Sequence, residues 1–401
     1  METHAGKRVL MLLENNSYPQ DIRVRNEART LVAAGYRVSV ICPRRSGQPW
    51  HEALDGVWVY RFPLPGGANG FLGYLLEYSV SMAAMSLLSL LVLLREGFDF
   101  VHAHNPPDTL VALGAFYKVL GKRFVYDHHD LAPELYYARF RGKGNRLVYR
   151  ALTLFERISC QLADHVIAVN LSHKMVEIQR DEVPEGRISI VRNGPDLRNM
   201  SVRETTPALE VNGKTVVAYV GEVGFQDGVD CLLRALRHLI RIEQRRELLC
   251  VLVGSGDALN EMKHLARDLG IEADVKFVGR VAHSEVNDWL AIADICVAPE
   301  PSNPYNDRTT VVKMTEYMAA GKAIVAFDLP EHRATAEKAA LYACPNDEID
   351  LAAKIAVLMD DADERSRMGE KGRRRIKDGL AWSYQEKLLL QVYETLGNRP
   401  R

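Results

Sequence analysis

Short runs of β-favouring apolar residues alternate with longer segments of helical periodicity along the first half of the chain. This pattern predicts strands at 7–13, 36–42, 57–62, 99–104, 123–127, 165–169 and 188–192. It predicts helices near 20–34, 70–95, 109–120, 145–163 and 171–180. Nearly continuous apolar strands separated by helices indicate a parallel sheet that is covered on both faces.

A polar stretch without periodicity, residues 196–214, interrupts the alternation and has the composition of an interdomain linker. Beyond it, the pattern predicts strands at 215–220, 248–254, 274–278, 294–298, 323–327 and 341–344. Helices are predicted at 228–243, 257–269, 284–292, 310–320 and 348–378, with a last amphipathic helix at 382–396. The sequence therefore predicts an α/β chain of two doubly wound domains, with ligands bound at the carboxyl ends of the strands.

Composition narrows the classes of protein that the chain can represent. A length of 401 residues favours two domains, and 51 basic against 52 acidic side chains provide no overall field for attracting nucleic acid. The six cysteines are scattered without a CxxC pair, which argues against a disulfide framework or a zinc ribbon. The N-terminal residues lack the features of a signal peptide, so we expect a soluble cytoplasmic protein.

One apolar segment, residues 78–94, carries no charge and lies near the lower length limit for a membrane span. Four serines interrupt it, and Glu77 and Arg95 flank it. It also lies between two predicted strands of one sheet, 57–62 and 98–104, which a span would place on opposite sides of a membrane. We therefore expect a buried or interfacial helix.

The stretch 299–328 carries the most informative chemistry, because a polar loop leads directly into a predicted helix that contains Glu316. A helix N-terminus presents unpaired amides and favours a diphosphate. The amides in question belong to Thr309, Thr310 and Val311. Lys313 and Glu316 are three residues apart and share a helix face. Such a cation and carboxylate suit the phosphate and ribose of a nucleotide, and an ordinary surface ion pair is the alternative.

Eight short motifs follow one another in the order found in a known family. They lie at 19–41, 102–108, 125–135, 192–196, 221–235, 252–257, 275–281 and 313–328. In these motifs the chain resembles the retaining GT-B glycosyltransferases of family 4. The resemblance implies two Rossmann-like domains that face a central cleft, an acceptor-side domain at 1–196 and a nucleotide-sugar domain at 197–381. It also implies that the C-terminal helix, within 382–401, crosses back to the first domain.

The resemblance implies transfer of a sugar from a UDP- or GDP-sugar to an acceptor hydroxyl with retention, using neither a metal nor another cofactor. The expected acceptor is a sugar or a lipid-linked sugar, as in the synthesis of cell-surface polysaccharide or glycolipid. Two alternatives remain open. One is a sugar-nucleotide 2-epimerase of the same fold, and the other is a non-catalytic homologue that serves as a partner subunit.

Several residues match positions that the family uses at its active site. Glu316 is expected to accept the ribose hydroxyls, and His129 is expected to contact the donor sugar or phosphate, with His128 as the competing assignment. The resemblance also suggests donor-side roles, each against an ordinary structural one, for Gly224, Arg280, Asn193 and Arg23. Arg23 is expected either to reach the phosphate or to lie in solvent.

The sequence departs from the family pattern at two places. The family's first signature glutamate falls on Arg308, and the arginine and lysine of its first turn fall on Glu222 and Asp227. Two acids would repel a diphosphate. We therefore expect Lys313 and Arg308 to supply replacement positive charge.

Residues 139–150 combine cations with aromatic side chains in the acceptor-side domain. Together with the apolar helix at 70–95 they suggest peripheral docking on anionic lipid at the inner face of the cell membrane. A solvated loop and a core helix are the alternative. The DAD tripeptide at 361–363 lies in a charged helical region, so we expect no metal site there.

Overall fold

The computed structural model describes residues 6–64, 70–140, 142–199, 211 and 213–398. These residues form two compact units. The first contains residues 1–135, 145–193 and 383–401, and the second contains 136–144 and 194–382. Most of the predicted linker, residues 200–210 and 212, lies outside the described residues.

The first unit is built on an eight-stranded sheet. Its strands are β1 (Arg8–Leu12), β2 (Arg37–Pro43), β3 (His51–Leu54), β4 (Val57–Phe62), β5 (Phe100–His104), β6 (Arg123–His128), β7 (His165–Ala168) and β8 (Ile188–Ile190). The order is β3-β4-β2-β1-β5-β6-β7-β8, and every pair is parallel except β3 with β4. The short antiparallel strand β3 was not predicted from the sequence, because its four residues alternate between exposed and half-buried positions.

Helices cover both faces of this sheet. They are α1 (Ile22–Ala33), α2 (Gly70–Arg95), α3 (Val111–Val119), α5 (Arg146–Leu162), α6 (Leu171–Gln179) and α14 (Trp382–Asn398). Helix α4 (Ala132–Arg139) is divided between the two units after Leu135. Residues of α2, α3 and α5 contribute to one apolar core, so these helices share a face of the sheet. Helix α14 packs on the first unit through Tyr393, whose ring contacts Tyr36 and Phe100 and whose hydroxyl lies 2.8 Å from His102 Nδ1.

The second unit contains a six-stranded, wholly parallel sheet. Its strands are β9 (Thr215–Val220), β10 (Leu248–Val253), β11 (Val275–Gly279), β12 (Ile295–Ala298), β13 (Ala323–Phe327) and β14 (Ala340–Ala343), in the order β11-β10-β9-β12-β13-β14. Its helices are α7 (Val229–Arg237), α8 (Leu259–Asp268), α9 (His283–Ala291), α10 (Val312–Ala319), α11 (Pro330–Ala336), α12 (Glu348–Asp360) and α13 (Ala362–Arg375). The predicted fold class, two α/β units with parallel sheets, is confirmed.

Two helices of the second unit differ from the prediction. The segment predicted as one helix at 348–378 is divided between α12 and α13, because Asp361 leaves helical geometry and its side chain caps α13 by accepting from the Glu364 amide. Asp361 of the DAD tripeptide is therefore a helix cap.

Helix α11 was not predicted at all, since its seven residues are too few to show a clear periodicity.

Helix α2 buries one narrow stripe against the sheet, including Ser81, Met85, Ser89 and Val92. By length and composition it could cross a membrane, but only 22% of its most apolar 18-residue window is buried. Of the expected buried or interfacial helix, the buried form is therefore wrong for most of its surface, and the interfacial form stays a prediction. The small serines lie on the packed stripe, where Ser89 accepts from Tyr117 of α3 at 2.8 Å.

Candidate functional site

The strand order of the second sheet reverses between β9 and β12, so the segments that follow these strands diverge at the same edge. The turn at 221–228 follows β9, and residues 299–311 connect β12 to α10. Ligands of doubly wound folds bind at such a switch point. The residues proposed from the sequence for nucleotide binding lie largely on these two segments.

The turn after β9 is held together by Asp227. Its Oδ2 accepts hydrogen bonds from the Gly224 amide at 2.9 Å and from Gln226 Nε2 at 3.1 Å. Gly228 adopts a φ of 69°, and a Cβ there would lie 1.9 Å from the Pro299 carbonyl oxygen. Burial raises the pKa of Asp227 to about 6, although Lys313 opposes this shift. Asp227 thus shapes the turn, a role that the sequence comparison alone did not suggest.

Lys313 is buried on the first turn of α10 and is surrounded by partners. Its Nζ pairs with Glu300 and donates to Tyr219 Oη at 2.9 Å, and it lies 3.8 Å from Asp227 Oδ1. Burial by itself disfavours the ammonium, but Glu300, Tyr219 and Asp227 together outweigh burial and hold the pKa of Lys313 well above its usual range. The lysine is therefore a permanent cation whose charge is already shared with two carboxylates.

This arrangement changes the expected charge compensation. Lys313 does lie beside Asp227, the turn position at which the family has a basic residue. Its positive charge, however, already balances Glu300 and Asp227 inside the protein. Glu300 was missed in the sequence analysis, because it reads as one residue of a polar loop. Its position two residues after β12, at a strand end where ligands bind, is the signal that could have identified it.

At the start of α10, one of the three amides expected to bind phosphate, that of Thr309, already has a partner. The Thr309 amide already donates to the Asn306 carbonyl at 3.2 Å, so it is not available to a phosphate. The Thr310 hydroxyl donates to Glu331 at 3.1 Å, and Val311 is the N-cap residue without a side-chain cap. Arg308 lies in a preceding helical turn and donates to the Pro304 carbonyl at 3.0 Å.

Glu316 lies one turn further along α10 and is half-buried. Within the described part of the chain, no hydrogen bond or ion pair is found for its carboxylate. Burial raises the pKa of Glu316 to about 7, against an opposing effect of Lys313. Arg280, directly after β11, is exposed. A partly accessible carboxylate without a protein partner is suited to accepting hydroxyl groups of a ligand.

In the first unit, Arg23 is buried on α1 and binds Asp127 at the end of β6 through two hydrogen bonds of 2.6 and 2.8 Å. Its remaining nitrogen donates to the Val191 carbonyl at 3.0 Å and to Asn193 Oδ1 at 2.7 Å. The expectation of a solvated arginine is therefore wrong, and the phosphate role of Arg23 stays a prediction. Its donors are occupied inside the unit, and Asn193 is one of their acceptors.

His129 follows β6 and keeps a partly accessible ring, 13% exposed. Its amide donates to Asn105 Oδ1 at 2.9 Å, and its Nδ1 lies 3.7 Å from Asp127 Oδ1. Burial lowers the pKa of His129, but Asp127 more than offsets this effect and raises it above its usual value. Arg23 thus fixes Asp127, and Asp127 faces the imidazole. The contribution of Asn105 and Asp127 was not recognised from the sequence.

The neighbouring histidine points elsewhere. The His128 ring is fully buried, with Nδ1 3.0 Å from Glu177 and Nε2 3.4 Å from Glu156. Successive residues of a strand face opposite sides, which explains why adjacent histidines have different surroundings. A ligand in solvent contact can reach His129 but not His128.

Two family models match the chain in tandem. Glycosyltransferase Family 4 matches residues 20–199, and Glycosyl transferases group 1 matches residues 203–375. The first match lies almost wholly in the first unit, and the second lies in the second unit. Together they cover both sheets.

Two relatives match most of the chain in sequence, and a solved structure shares its fold. An uncharacterised glycosyltransferase of Methanocaldococcus jannaschii is 26% identical over 76% of this chain and 75% of its own. The glycogen synthase of Mycobacterium tuberculosis is 23% identical over 92% of this chain and 89% of its own. The crystal structure of HepE from Anabaena in complex with UDP and glucose aligns with a TM-score of 0.73 at 17% identity, covering 98% of this chain and 100% of HepE.

Proposed function

The chain joins a Glycosyltransferase Family 4 domain to a Glycosyl transferases group 1 domain and belongs to the GT-B glycosyltransferases, and from this we propose that it transfers a sugar from a nucleotide-diphosphate sugar to an acceptor hydroxyl. We propose further that the transfer proceeds with retention and without a metal. The product class that we propose is a cell-surface polysaccharide or glycolipid. The similarity to a glycogen synthase and the fold shared with a UDP-binding protein support this proposal.

The main support for the proposed donor site is the position of Glu316 at the switch point of the second sheet. Its carboxylate has no partner within the described residues, and it lies one turn from the uncapped start of α10. Helix amides favour a diphosphate, and a carboxylate accepts ribose hydroxyls. This spacing along one helix suits a nucleoside diphosphate better than either feature alone.

One observation favours a second candidate, a non-catalytic homologue. Two carboxylates, Glu300 and Asp227, share the charge of Lys313, so this cluster carries a net negative charge when all three groups are ionised. A diphosphate leaving group would then depend on the helix amides and on Arg308. If these groups do not suffice, the chain binds nucleotide without turnover.

A donor screen tests the proposal. The purified chain is incubated with UDP- and GDP-sugars, with and without extracts that contain acceptors, and nucleotide release is measured. We expect release from one donor that requires an acceptor. A nucleotide sugar converted to its 2-epimer without net nucleotide release would instead identify an epimerase. Binding with neither release nor a 2-epimer would identify the non-catalytic homologue.

Retention and metal independence need separate measurements once a donor is found. The anomeric configuration of the first product, read by NMR, should match that of the donor sugar. Activity should persist in the presence of EDTA. An inverted product, or a loss with EDTA that added Mg²⁺ or Mn²⁺ restores, would contradict the corresponding part of the proposal.

The first unit also offers a surface for a lipid-linked acceptor. Helices α2, α3 and α5 form one layer, and their outer surface exposes Leu87, Leu94 and Val119 by 70, 84 and 87%. The exposed cations Arg146 and Arg150 lie at the start of α5. An apolar surface with basic residues binds anionic lipid through burial and charge together. We propose that this layer docks on an anionic membrane surface.

A further inference from the structure

His128 lies at the centre of a fully buried cluster that the proposed transfer reaction does not use. Its ring contacts Glu156 on α5 and Glu177 on α6. Cys160, one turn after Glu156 on α5, and Asp181, just beyond α6, complete the cluster. All five side chains are 0% exposed. Three secondary-structure elements thus direct their polar atoms to one interior point.

The cluster contains more negative than positive charge. Glu134, Glu156, Glu177 and Asp181 are buried, and the Arg180 guanidinium pairs with Glu134 and Glu156 and lies 3.9 Å from Asp181 Oδ1. Uncompensated buried carboxylates cost several kcal/mol each unless a cation or a proton neutralises them. A further positive charge inside the cluster would remove this cost.

The unsatisfied atoms of the cluster are those that a metal ion would need. His128 Nε2, Glu156 Oε2 and both carboxylate oxygens of Asp181 are buried without a hydrogen-bond partner among the described residues. Native proteins rarely leave such atoms unpaired. Their shared location indicates a missing common partner.

We propose that His128, Cys160 and Asp181 bind one divalent transition-metal ion, with zinc as the ion that this donor set favours. The ligand atoms of these three residues all lie within 4.8 Å of one another. Ligand atoms around tetrahedral zinc are about 3.3–3.8 Å apart. One nitrogen, one sulfur and one carboxylate oxygen suit zinc better than calcium or magnesium, which take oxygen ligands.

The surroundings of His128 complete this interpretation. Its Nδ1 lies 3.0 Å from Glu177 Oε1, which leaves Nε2 as the free nitrogen. A carboxylate that accepts from the second nitrogen of a metal-bound histidine fixes the ring and increases its basicity. Glu177 therefore supports the site without coordinating the ion.

A second buried group of similar composition does not support a metal. Glu27, His102, His104 and Asp127 also place their ligand atoms within 4.8 Å of one another. There, however, Arg23 binds Asp127 with two hydrogen bonds and lies 3.3 Å from Glu27. The guanidinium already supplies the cation.

The proposed ion has a structural role. It would tie the end of β6 to α5 and to the segment after α6, and His129 follows directly on β6. All three ligand side chains are 0% exposed, so a substrate cannot reach the ion from solvent. The proposal does not depend on the donor or the acceptor, so its test is independent of the proposed transfer reaction.

Metal content and cobalt spectroscopy of the full-length chain test the proposal. We expect one zinc per chain after purification without added chelator, measured by elemental analysis. After removal of the zinc, one equivalent of Co²⁺ should restore the site and give the intense visible absorption of a tetrahedral centre with a thiolate-to-cobalt band in the near ultraviolet. Less than a tenth of an equivalent of metal, with no thiolate-to-cobalt band, would overturn the proposal.

Variants localise the ion. Cys160→Ala should remove the thiolate band, and Glu177→Gln should weaken metal affinity by about 10–100-fold. Cys250→Ala, at a buried cysteine of the second unit, is the matched control and should retain the full spectrum. If Cys160→Ala does not fold, the cobalt spectrum of the unmodified chain still shows whether a thiolate binds the metal. A thiolate band that survives Cys160→Ala but disappears with Cys344→Ser, at the exposed cysteine, would also refute the site.

Discussion

Lys313 and Glu300 form a buried ion pair between the first turn of α10 and the segment after β12. The pair joins two segments that meet at the switch point of the second sheet, and Tyr219 and Asp227 complete its surroundings. Its position connects the stability of the unit with the charge available to a diphosphate. The effect on stability is separated from the effect on diphosphate binding by removing the charge of Lys313 alone and then the charges of both Lys313 and Glu300.

Lys313→Met should lower the free energy of unfolding by about 3–5 kcal/mol, because Glu300 remains buried without its cation. It should also abolish donor binding if the ammonium supports the diphosphate. The double variant Lys313→Met/Glu300→Gln should regain much of the stability but not the binding. Chemical denaturation and calorimetric titration with UDP and GDP measure the two properties. Normal nucleotide affinity in the double variant would refute the role of Lys313.

Nucleotide-sugar binding should strengthen as the pH rises from 6 to 8. The pKa of Glu316 is raised to about 7, so at pH 6 the carboxyl is mostly protonated and is a weaker acceptor for hydroxyls. The gain cannot exceed about tenfold per pH unit for one group. Titration with UDP-glucose and GDP-mannose is suitable, because these diphosphate diesters do not titrate in this range.

The control for this pH dependence is Asp227, whose pKa of about 6 makes it gain negative charge over the same interval. That gain opposes binding, so Asp227→Asn should steepen the rise with pH. Glu316→Gln should flatten it. A profile unchanged by Glu316→Gln would assign the pH dependence to another group.

The same raised pKa makes a prediction about stability. Because the charged form of Glu316 is disfavoured in the folded state, its contribution to stability is present at low pH. It is lost as the pH rises from the unfolded value of 4.5 through about 7. Glu316→Gln should therefore be more stable than the unmodified chain at pH 8 but not at pH 4.5, measured by urea denaturation. Equal differences at both pH values would contradict this assignment.

Arg23→Ala should destabilise the first unit by about 3–5 kcal/mol, since Asp127 and Glu27 would remain buried without their guanidinium. Arg23→Lys should recover only part of this loss, because an ammonium cannot reproduce the two parallel hydrogen bonds. Thermal unfolding followed by circular dichroism provides the measurement. Unchanged stability together with a raised donor KM would favour the phosphate role of Arg23 over this structural one.

His129→Gln should reduce kcat by about 10²–10³, as expected for the loss of one donor to developing negative charge. The melting temperature and the affinity for UDP should change little, because the ring is partly exposed and its backbone amide still binds Asn105. His264→Gln, at an exposed histidine of the second unit, serves as the control. If the melting temperature of His129→Gln fell far enough to explain the loss of activity, His129 would be a structural residue.

The chain should sediment with vesicles that contain phosphatidylglycerol and remain in solution with phosphatidylcholine alone. Leu87→Ser/Leu94→Ser should weaken this association by roughly tenfold or more, since each leucine contributes about 1.5–3 kcal/mol when buried. Val357→Ser, at a half-exposed valine of α12, is the matched control. No sedimentation of the unmodified chain at about 0.15 M salt would dismiss the membrane surface.

Local pattern was sufficient for most of the elements and insufficient where elements are short. Strands such as β9 and β13 are continuous apolar runs, so the sequence locates them within one or two residues. Strand β3 and helix α11 contain four and seven residues, which is too few for a period to show. The sequence also left open whether α2 is buried or interfacial, because hydropathy does not reveal how many faces of a helix find a partner.

The candidate site shows the same division. Motif position indicated Glu316 and His129 in the sequence, and the spacing along one helix brought Lys313 next to Glu316. The sequence did not reveal that Glu300 pairs with Lys313, or that Arg23 is held by Asp127, which lies 104 residues further along the chain. Ion pairs between distant segments depend on which strand ends the sheet order brings together.

The sequence by itself determined the alternation of strands and helices, the two α/β units and the family, because these depend on local periodicity and on short motifs. Only the tertiary structure decided which charges neutralise one another, which histidine reaches the surface and which apolar helix face remains uncovered. These properties depend on distances and burial between residues far apart in the chain. No local pattern contains that information.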